Sequence, residues 1–99
     1  MNWNDKIELG KVTETVVYGE PIQSVAWTKV FANKRAVRQS EFYAASNVGL
    51  KPELMFEINS DEFDGHSKVK YGTTEYEIIR TYDKGEVMEL TVAGKVGDG

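Results

Sequence analysis

Residues 7–17, with the sequence IELGKVTETVV, decide the fold class of this chain. Apolar side chains recur there at about every second position, and many of the residues are β-branched. Alternate side chains of a strand face opposite sides of a sheet, so this pattern predicts a β-strand. A turn or loop is predicted at Tyr18-Gly19-Glu20-Pro21, because glycine allows unusual backbone angles and proline cannot donate to a sheet ladder.

The second predicted strand covers residues 24–32, SVAWTKVFA. Val25, Trp27 and Phe31 share one parity of this strand, which indicates that they face the core. Lys29 interrupts that parity, so we expect the far end of the strand to leave the core or to reach an interface.

A short helix is predicted between residues 33 and 49, where the two-residue period is lost and good helix formers follow Arg38. Ser40 is the predicted N-cap, and Glu41 lies early in the first turn, where the helix dipole favours an anion. Gly49 suits the left-handed conformation that commonly ends a helix.

The remainder of the chain returns to short strands separated by polar turns. Parallel pairing would need a long crossover after most strands, and only the helical segment could provide one, so the sheet should be largely antiparallel. We predict one mainly β domain over residues 1–99, a small antiparallel β-barrel or sandwich of about six strands with one short helix or loop insertion between strands two and three. The further predicted strands are residues 54–58, 68–71, 74–81 and 87–92. Between them we predict a polar connection at 60–65, a tight hairpin or bulge at Gly72 and a hairpin turn at Asp83-Lys84-Gly85, and after them a flexible tail over 93–99. The predicted core includes Trp27, Phe31, Phe56, Ile78 and Leu90.

The composition is typical of a small globular protein, with 99 residues of which 40% are hydrophobic and 28% are charged. No cysteine is present, which excludes disulfides, thiolate nucleophiles and cysteine-ligated zinc. No apolar run approaches the roughly 20 residues that span a bilayer, and residues 1–6 lack the apolar core of a signal peptide, so we expect a soluble protein made in the cytoplasm. The net charge of −4 has the wrong sign for a protein that acts by binding nucleic-acid phosphates.

The side chains that could carry chemistry have simpler structural interpretations. His66 is the only histidine and is expected to be a solvent-exposed turn residue, without the nucleophile and orienting carboxylate that a catalytic imidazole needs. Residues 60–65 resemble a calcium loop only in part, because the twelfth position is Tyr71 instead of a glutamate. We therefore predict no enzyme activity, no cofactor and no metal site. The carboxylates that could pair for acid–base catalysis are Glu75, Glu77, Glu86 and Glu89. Glu75 and Glu77 share one parity of a strand and are expected on a solvated sheet face.

The chain separates its charges along the sequence. Asp and Glu are absent from residues 21–40, whereas acids dominate elsewhere. This distribution predicts a positive protrusion between the second strand and the helix on a negative body. Two interpretations stay open, a solvated loop or a contact with an acidic partner surface or the DNA backbone. The basic residues of this segment are Lys29, Lys34, Arg35 and Arg38.

Four motifs follow one another in a particular order between residues 7 and 92. After the Tyr-Gly-Glu-Pro turn come Trp27 with Val30-Phe31-Ala32, then SEFYAA at 40–45, VKYGTTEYEII at 69–79 and MELTV at 88–92. In this order and spacing the chain resembles the head-closure proteins of tailed bacteriophages, also known as head–tail joining, head-completion or stopper proteins.

The resemblance implies a structural virion protein. It implies a small β-barrel with an insertion that forms a ring below the portal and its adaptor, closes the DNA exit channel and provides the tail docking surface. No cofactor and no membrane are implied. The partners would be the adaptor and portal rings, the tail completion protein, further copies of this chain and the packaged double-stranded DNA. The protein would be made in the bacterial cytoplasm, could be a monomer when isolated, and would reside in the virion. The interface or channel candidates are Lys29, Lys34, Arg35, Arg38, Phe42 and Tyr43.

Two other function classes are considered beside this one. A small β-barrel could bind single-stranded nucleic acid, with Trp27, Phe42 or Tyr43 as stacking platforms, or an acidic protein partner. The negative net charge argues against the nucleic-acid alternative. A small enzyme is the third class, and only generic carboxylates and His66 favour it.

Overall fold

The computed structural model describes residues 3–46, 49 and 51–94 of the chain. Within these residues, six strands, one α-helix and one short 3₁₀ turn are present. The strands are β1 (Asp5–Val17), β2 (Glu20–Arg35), β3 (Leu54–Asn59), β4 (Lys68–Tyr71), β5 (Thr74–Asp83) and β6 (Val87–Gly94); the helix α1 is Gln39–Ser46, and the 3₁₀ turn is Ser60–Glu62.

The strands close into a barrel in the order β1-β2-β3-β6-β5-β4, with β4 paired back to β1. Neighbouring strands are antiparallel at each of these pairings. Closure gives each strand a partner on both sides within the barrel, which removes open sheet edges from this part of the molecule. The predicted mainly β, antiparallel fold with a helix between the second and third strands is confirmed, and it is a barrel rather than a sandwich.

Apolar side chains from β1, β2, β3, β4 and β6 fill the barrel, and partly buried side chains from β5 pack against them. Phe56 is fully buried, and its ring centroid lies 5.4 Å from that of Tyr71. Burial of one such side chain contributes about 1.5–3 kcal/mol to stability. The predicted core positions Phe56 and Leu90 are confirmed, and Ile78 is partly buried against the same cluster.

The predicted parity of the second strand was wrong. Ile7 pairs with Val30 in the register of β1 and β2, and directly opposite residues in a sheet share a face. Val30 and Ala32 therefore join Ile7 in the core, while Trp27 and Phe31 face outward. Phe31 is 53% exposed. The pattern was misleading because both parities of this strand carry apolar residues.

β1 and β2 continue beyond the barrel as a two-stranded arm, which we define as residues 11–26. The two strands stay in one unbroken register, whereas β4 pairs with β1 only over residues 8–10 and β3 pairs with β2 only over residues 32–35. All side chains of residues 12–24 are exposed. At about 3.4 Å per residue the arm is about 24 Å long. It accounts for much of the longest molecular dimension, 46 Å.

The arm ends in a two-residue turn at Tyr18 and Gly19, whose φ angles are 52° and 80°. Positive φ at both positions is typical of the type I′ turn, whose twist matches that of the flanking strands. The predicted turn is confirmed but is shorter than expected, because Glu20 and Pro21 belong to β2. Val17 and Glu20 close the turn as a hydrogen-bonded pair, so the nitrogen of Pro21 points to the open edge of the arm, where no ladder bond is lost.

The helix differs slightly from its prediction. α1 begins at Gln39, so Ser40 lies inside the first turn and is not the N-cap. The first-turn position of Glu41 is confirmed. Gly49 has a φ of 81° and donates its N–H to the carbonyl of Ser46 at 3.0 Å, as expected for a residue that follows a helix end.

Two further expectations concern the later strands. Gly72 lies in the tight turn between β4 and β5 with a φ of 64°, while the irregularity of this sheet region lies between Ile78 and Arg80 of β5. Residues 93 and 94 of the predicted tail belong to β6, and residues 95–99 lie outside the described part of the chain.

Gly10 lies beneath the indole of Trp27 on the outer face of the barrel. A Cβ atom at this position would lie 2.7 Å from Cζ3 of Trp27 and 3.0 Å from Cβ of Lys68. Such an overlap forces the indole or the strand to shift, so Gly10→Ala should lower the free energy of unfolding by about 1–3 kcal/mol. Urea denaturation followed by far-UV circular dichroism measures this change. The exposed control Gln23→Ala should change the free energy by less than about 0.5 kcal/mol, and an equally small effect of Gly10→Ala would contradict this packing.

Candidate functional site

Two carboxylates face each other on the outer surface of the barrel. Glu57 of β3 and Glu89 of β6 are direct cross-strand partners, and their side chains are only 10% and 4% exposed. Like charges placed directly opposite in a sheet repel each other, and burial adds a desolvation cost. The pair therefore needs cations beside it.

Three basic side chains surround these carboxylates. The guanidinium of Arg38 donates to both carboxylate oxygens of Glu89, with Nη1 3.0 Å from Oε2. Nη2 of Arg35 lies 2.9 Å from Oε1 of Glu57, an oxygen that is buried and has no aligned hydrogen bond among the described residues. Nζ of Lys84 lies 3.8 Å from Glu57 Oε2 and 3.5 Å from Glu89 Oε2. We call these five side chains the ionic cluster.

The contact between Arg38 and Glu89 dominates the electrostatics of the ionic cluster. The hydrogen bond from Arg38 holds the pKa of the Glu89 carboxyl below its ordinary value and outweighs the opposing effect of burial. The attraction of Arg38 and Lys84 acts in the same direction as that hydrogen bond. The same contact raises the pKa of Arg38. A bidentate pair also has a fixed geometry, so it holds the segment before α1 against the outer face of the barrel.

A second ion pair fastens the helix itself, with Nε of Arg80 3.1 Å from Oε1 of Glu41. Between the two links lies an open depression of about 300 Å³, whose charged lining residues are Arg38, Glu41, Arg80 and Glu89. Each of these four charges is paired with another of the four. The arrangement is that of a structural tether for α1.

The predicted basic residues lie in three different places. Arg35 and Arg38 belong to the ionic cluster, so this segment is bound to the barrel and does not form the expected positive protrusion. Lys34 holds its ammonium 5.4 Å from the ring centroid of Tyr71. Lys29 lies on the outer face of β2 beside Phe31. The sequence did not reveal this division, because the acids that bind the arginines come from strands far along the chain.

The two aromatic candidates lie side by side on α1. Phe42 is 45% and Tyr43 is 59% exposed, and their ring centroids are 6.3 Å apart in an edge-on arrangement. Nε2 of Gln39 donates to the hydroxyl of Tyr43 at 3.3 Å. Trp27, the third stacking candidate, is covered by Lys70, whose Nζ lies 4.2 Å from the ring centroid. Phe42 and Tyr43 thus form an exposed aromatic pair, whereas Lys70 covers the ring face of Trp27 on which a base could stack.

A basic patch that the sequence analysis missed lies on the outer face of β1, β2 and β4. It consists of Lys6, Lys29 and Lys70 around the exposed ring of Phe31 and the indole of Trp27. Nζ of Lys6 lies 5.6 Å from the centroid of Phe31, and a shallow depression of about 200 Å³ lies between Lys6, Lys29 and Phe31. Within the described residues, none of the three ammonium groups has a carboxylate oxygen within 4.0 Å.

An acid, Glu8, lies within the basic patch, opposite Lys29 in one register and opposite Lys70 in the other. The patch joins side chains of three strands, and only the register between those strands brings them together. The one signal in the sequence was the parity that Lys29 shares with Trp27 and Phe31, which was interpreted as the core side.

His66 has a structural role in its turn. Its Nδ1 accepts the N–H of Asp64 at 3.1 Å, and its ring packs against Phe63 with the centroids 5.7 Å apart. Burial lowers the pKa of His66, which favours the neutral ring that can accept this hydrogen bond. The side chain is half-buried instead of solvent-exposed as expected. Residues 3–46, 49 and 51–94 contain no group of three or more His, Asp or Glu that could hold a metal ion.

The carboxylates considered for acid–base chemistry have different surroundings. Oε1 of Glu75 and Oε1 of Glu77 lie 3.6 and 2.5 Å from Nζ of Lys68. The hydrogen bond to Glu77 is the main cause that raises the pKa of Lys68. Glu86 is exposed, and Glu89 belongs to the ionic cluster.

Comparisons with known proteins add no further constraint on function. No family model matches the chain, and no curated protein has a similar sequence. In the part of the chain that the structure describes, no helix has the length and apolar character needed to cross a membrane. Function is therefore inferred from the surfaces of the barrel and the arm.

Arg38→Ala tests the ionic cluster. The substitution should lower the free energy of unfolding at neutral pH by about 1–3 kcal/mol, because Glu89 would stay buried without its bidentate partner. Half of the Arg38 side chain is exposed, so solvent limits the effect to less than that of a fully buried pair. Lys51→Ala removes the same charge from an exposed site and should change the free energy by less than about 0.5 kcal/mol. Equal stability of the two variants in urea denaturation would contradict a stabilising cluster.

The lowered pKa of Glu89 makes stability depend on pH in a defined direction. The folded protein holds this pKa below the ordinary value of 4.5, so the unfolded chain binds more protons in acid. The stabilisation is complete above that ordinary value and is lost as the pH falls through the lower, folded-state pKa. Urea denaturation from about pH 7 to about pH 3 measures the loss. Glu89→Gln removes the titrating group, so its stability should fall less steeply over this range, and parallel curves for the two proteins would contradict the assignment.

Proposed function

We propose that the protein is a structural component of the head–tail connector of a tailed bacteriophage. It forms a ring below the portal and its adaptor, closes the DNA exit channel and provides a surface on which the tail docks. The observation that carries the proposal is the architecture, a small closed barrel from which one hairpin projects with all side chains of residues 12–24 exposed. This architecture agrees with the barrel that the resemblance over residues 7–92 implies.

The projecting arm supports a role in assembly. A lone two-stranded ribbon is marginally stable in water, and its two open edges are sites at which other strands can pair. The barrel holds this ribbon in place by continuing both of its strands. Nothing within the described chain packs on residues 12–24, so the arm is available to a neighbouring molecule.

The remaining surfaces fit contacts in such an assembly. The aromatic pair Phe42 and Tyr43 offers an apolar contact on α1 to an adjoining ring. Arg38 serves mainly to fix the helix and Arg35 to compensate Glu57, since both bind buried carboxylates. In this role the protein is made in the bacterial cytoplasm and acts in the virion. Its partners there are the adaptor and portal rings, the tail completion protein, the packaged double-stranded DNA and further copies of the chain.

A small-barrel module for single-stranded nucleic acid is the second candidate function. The exposed Phe42–Tyr43 pair favours it, because bases stack on such rings. The net charge of −4 and the lysine that covers Trp27 argue against it. Tight oligonucleotide binding that weakens steeply with salt would favour this alternative over the connector.

The connector role is tested by adding the purified protein to cognate heads that are filled with DNA and lack tails. Electron microscopy should then show a ring of density below the adaptor, and the treated heads should retain their DNA and accept tails. Heads that lack the adaptor are the control and should bind no ring. DNA-filled heads that bind no protein at saturating concentration would contradict the proposal.

A further inference from the structure

The two ends of the β1–β2 hairpin carry complementary surfaces. The first, the acidic tip, is residues 14–20, with Glu14 and Glu20 and no basic residue. Its apolar side chains are exposed, Val16 to 70% and Tyr18 to 101%. The second is the basic patch at the base of the hairpin, where ammonium groups surround the exposed ring of Phe31. Each surface therefore combines an apolar centre with a net charge opposite in sign to that of the other.

The backbone conformation of Tyr18 is energetically unfavourable for a residue with a large side chain. Its φ of 52° is the only positive φ of a non-glycine residue in the described chain. A left-handed conformation is unfavourable for an L-residue, and bulky side chains rarely adopt it. The ring has no packing partner that offsets this cost, because it is fully exposed. A large aromatic side chain held at the end of a projecting arm points to a contact outside its own chain.

The acidic tip cannot reach the basic patch of its own molecule. Tyr18 and Phe31 lie 13 residues apart along the hairpin, which separates them by about 40 Å at the rise of an extended strand. The patch also lies on the same ribbon that carries the tip, so no bending of the turn brings them together. A contact between these two surfaces therefore joins two copies of the chain.

We propose that the acidic tip of one copy docks on the basic patch of the next copy. Tyr18 and Val16 would pack on Phe31, while Glu14 and Glu20, which lie on opposite faces of the arm, would approach Lys6 and Lys29 from the two sides of the tip. The contact is heterologous, since different surfaces of the two copies meet, and a rotation that closes generates a ring. The inference rests on the proposed connector function and deepens it by naming the surfaces that join neighbouring subunits.

A second copy explains the patch better than a nucleic-acid backbone does. Phosphates would satisfy the ammonium groups of Lys6 and Lys29 but would leave the ring of Phe31, which is 53% exposed, without an apolar partner. Glu8 within the patch repels a phosphate and a carboxylate alike, so the apolar contact decides between the two occupants. The exposed apolar area of Phe31 therefore favours the tip.

Cysteine cross-linking tests this contact without interference from native thiols, because the chain has no cysteine. Val17→Cys and Glu8→Cys proteins, which keep the proposed contact residues, are mixed under mild oxidation, and the control mixture pairs Val17→Cys with the exposed Lys51→Cys. The disulfide-linked heterodimer should form with Glu8→Cys at least about tenfold faster than with Lys51→Cys, because docking raises the effective concentration of the thiols. Equal rates in the two mixtures would overturn the proposal.

Charge reversal provides a second, independent measurement. Lys6→Glu/Lys29→Glu and Glu14→Lys/Glu20→Lys should each weaken self-association by about tenfold or more in sedimentation and in NMR titrations of residues 14–20. The protein that carries all four changes should regain association, because the charges are again complementary. Failure of this rescue in folded protein, or loss of duplex-DNA binding with unchanged self-association, would overturn the tip–patch contact.

The outcomes separate this inference from the connector role. Binding of the wild-type protein to DNA-filled heads, together with no selective cross-link between the cysteine variants, would leave the connector role intact and overturn the tip–patch contact. Selective cross-linking by protein that does not bind heads would support the contact and contradict the connector role.

Discussion

The uninterrupted register between β1 and β2 is the constraint on which the rest of the molecule depends. The period of a strand is two residues, so a slip by one position would turn Ile7 and Leu9 out of the core and Lys6 and Glu8 into it. The core therefore fixes the register at the barrel, and the same register then runs out to the tip. For this reason the barrel determines which face of the arm each side chain occupies, although nothing is buried there.

On the far side of the barrel, the ionic cluster compensates the charge of two buried carboxylates. Two buried carboxylates in a cross-strand pair would destabilise β3 and β6, and the cations that offset them come from the segment leading into α1 and from Lys84. Arg38, which compensates the buried charge of Glu89, thereby also fixes the position of the helix. Phe42 and Tyr43 are presented by a helix whose approach to the barrel is fixed at Arg38 and at Glu41. The molecule thus holds the aromatic pair of α1 in place by electrostatics and the arm by a continuous sheet.

Much of the fold could be predicted from the sequence, because strand periodicity and turn residues are local signals. The antiparallel arrangement and the helix insertion followed from the same signals. The side that Trp27 and Phe31 face could not be predicted, since Val30 and Ala32 give the opposite parity an equally apolar character. The ionic cluster and the basic patch depend on which residues of distant strands lie opposite each other. Charge counting alone therefore assigned Arg35 and Arg38 to an exposed surface.

The junction between β4 and β1 has a consequence for the dynamics of the barrel. It spans only the pairs from Glu8 to Gly10, whereas β3 and β6 are paired over the whole of β3. Local opening starts where the fewest hydrogen bonds must break, so this junction is the weakest closure of the barrel. The basic patch straddles it, with Lys70 on one side and Lys6 on the other. A molecule bound there would bridge the two sides, and subunit contact would then act as a clamp that keeps the barrel shut.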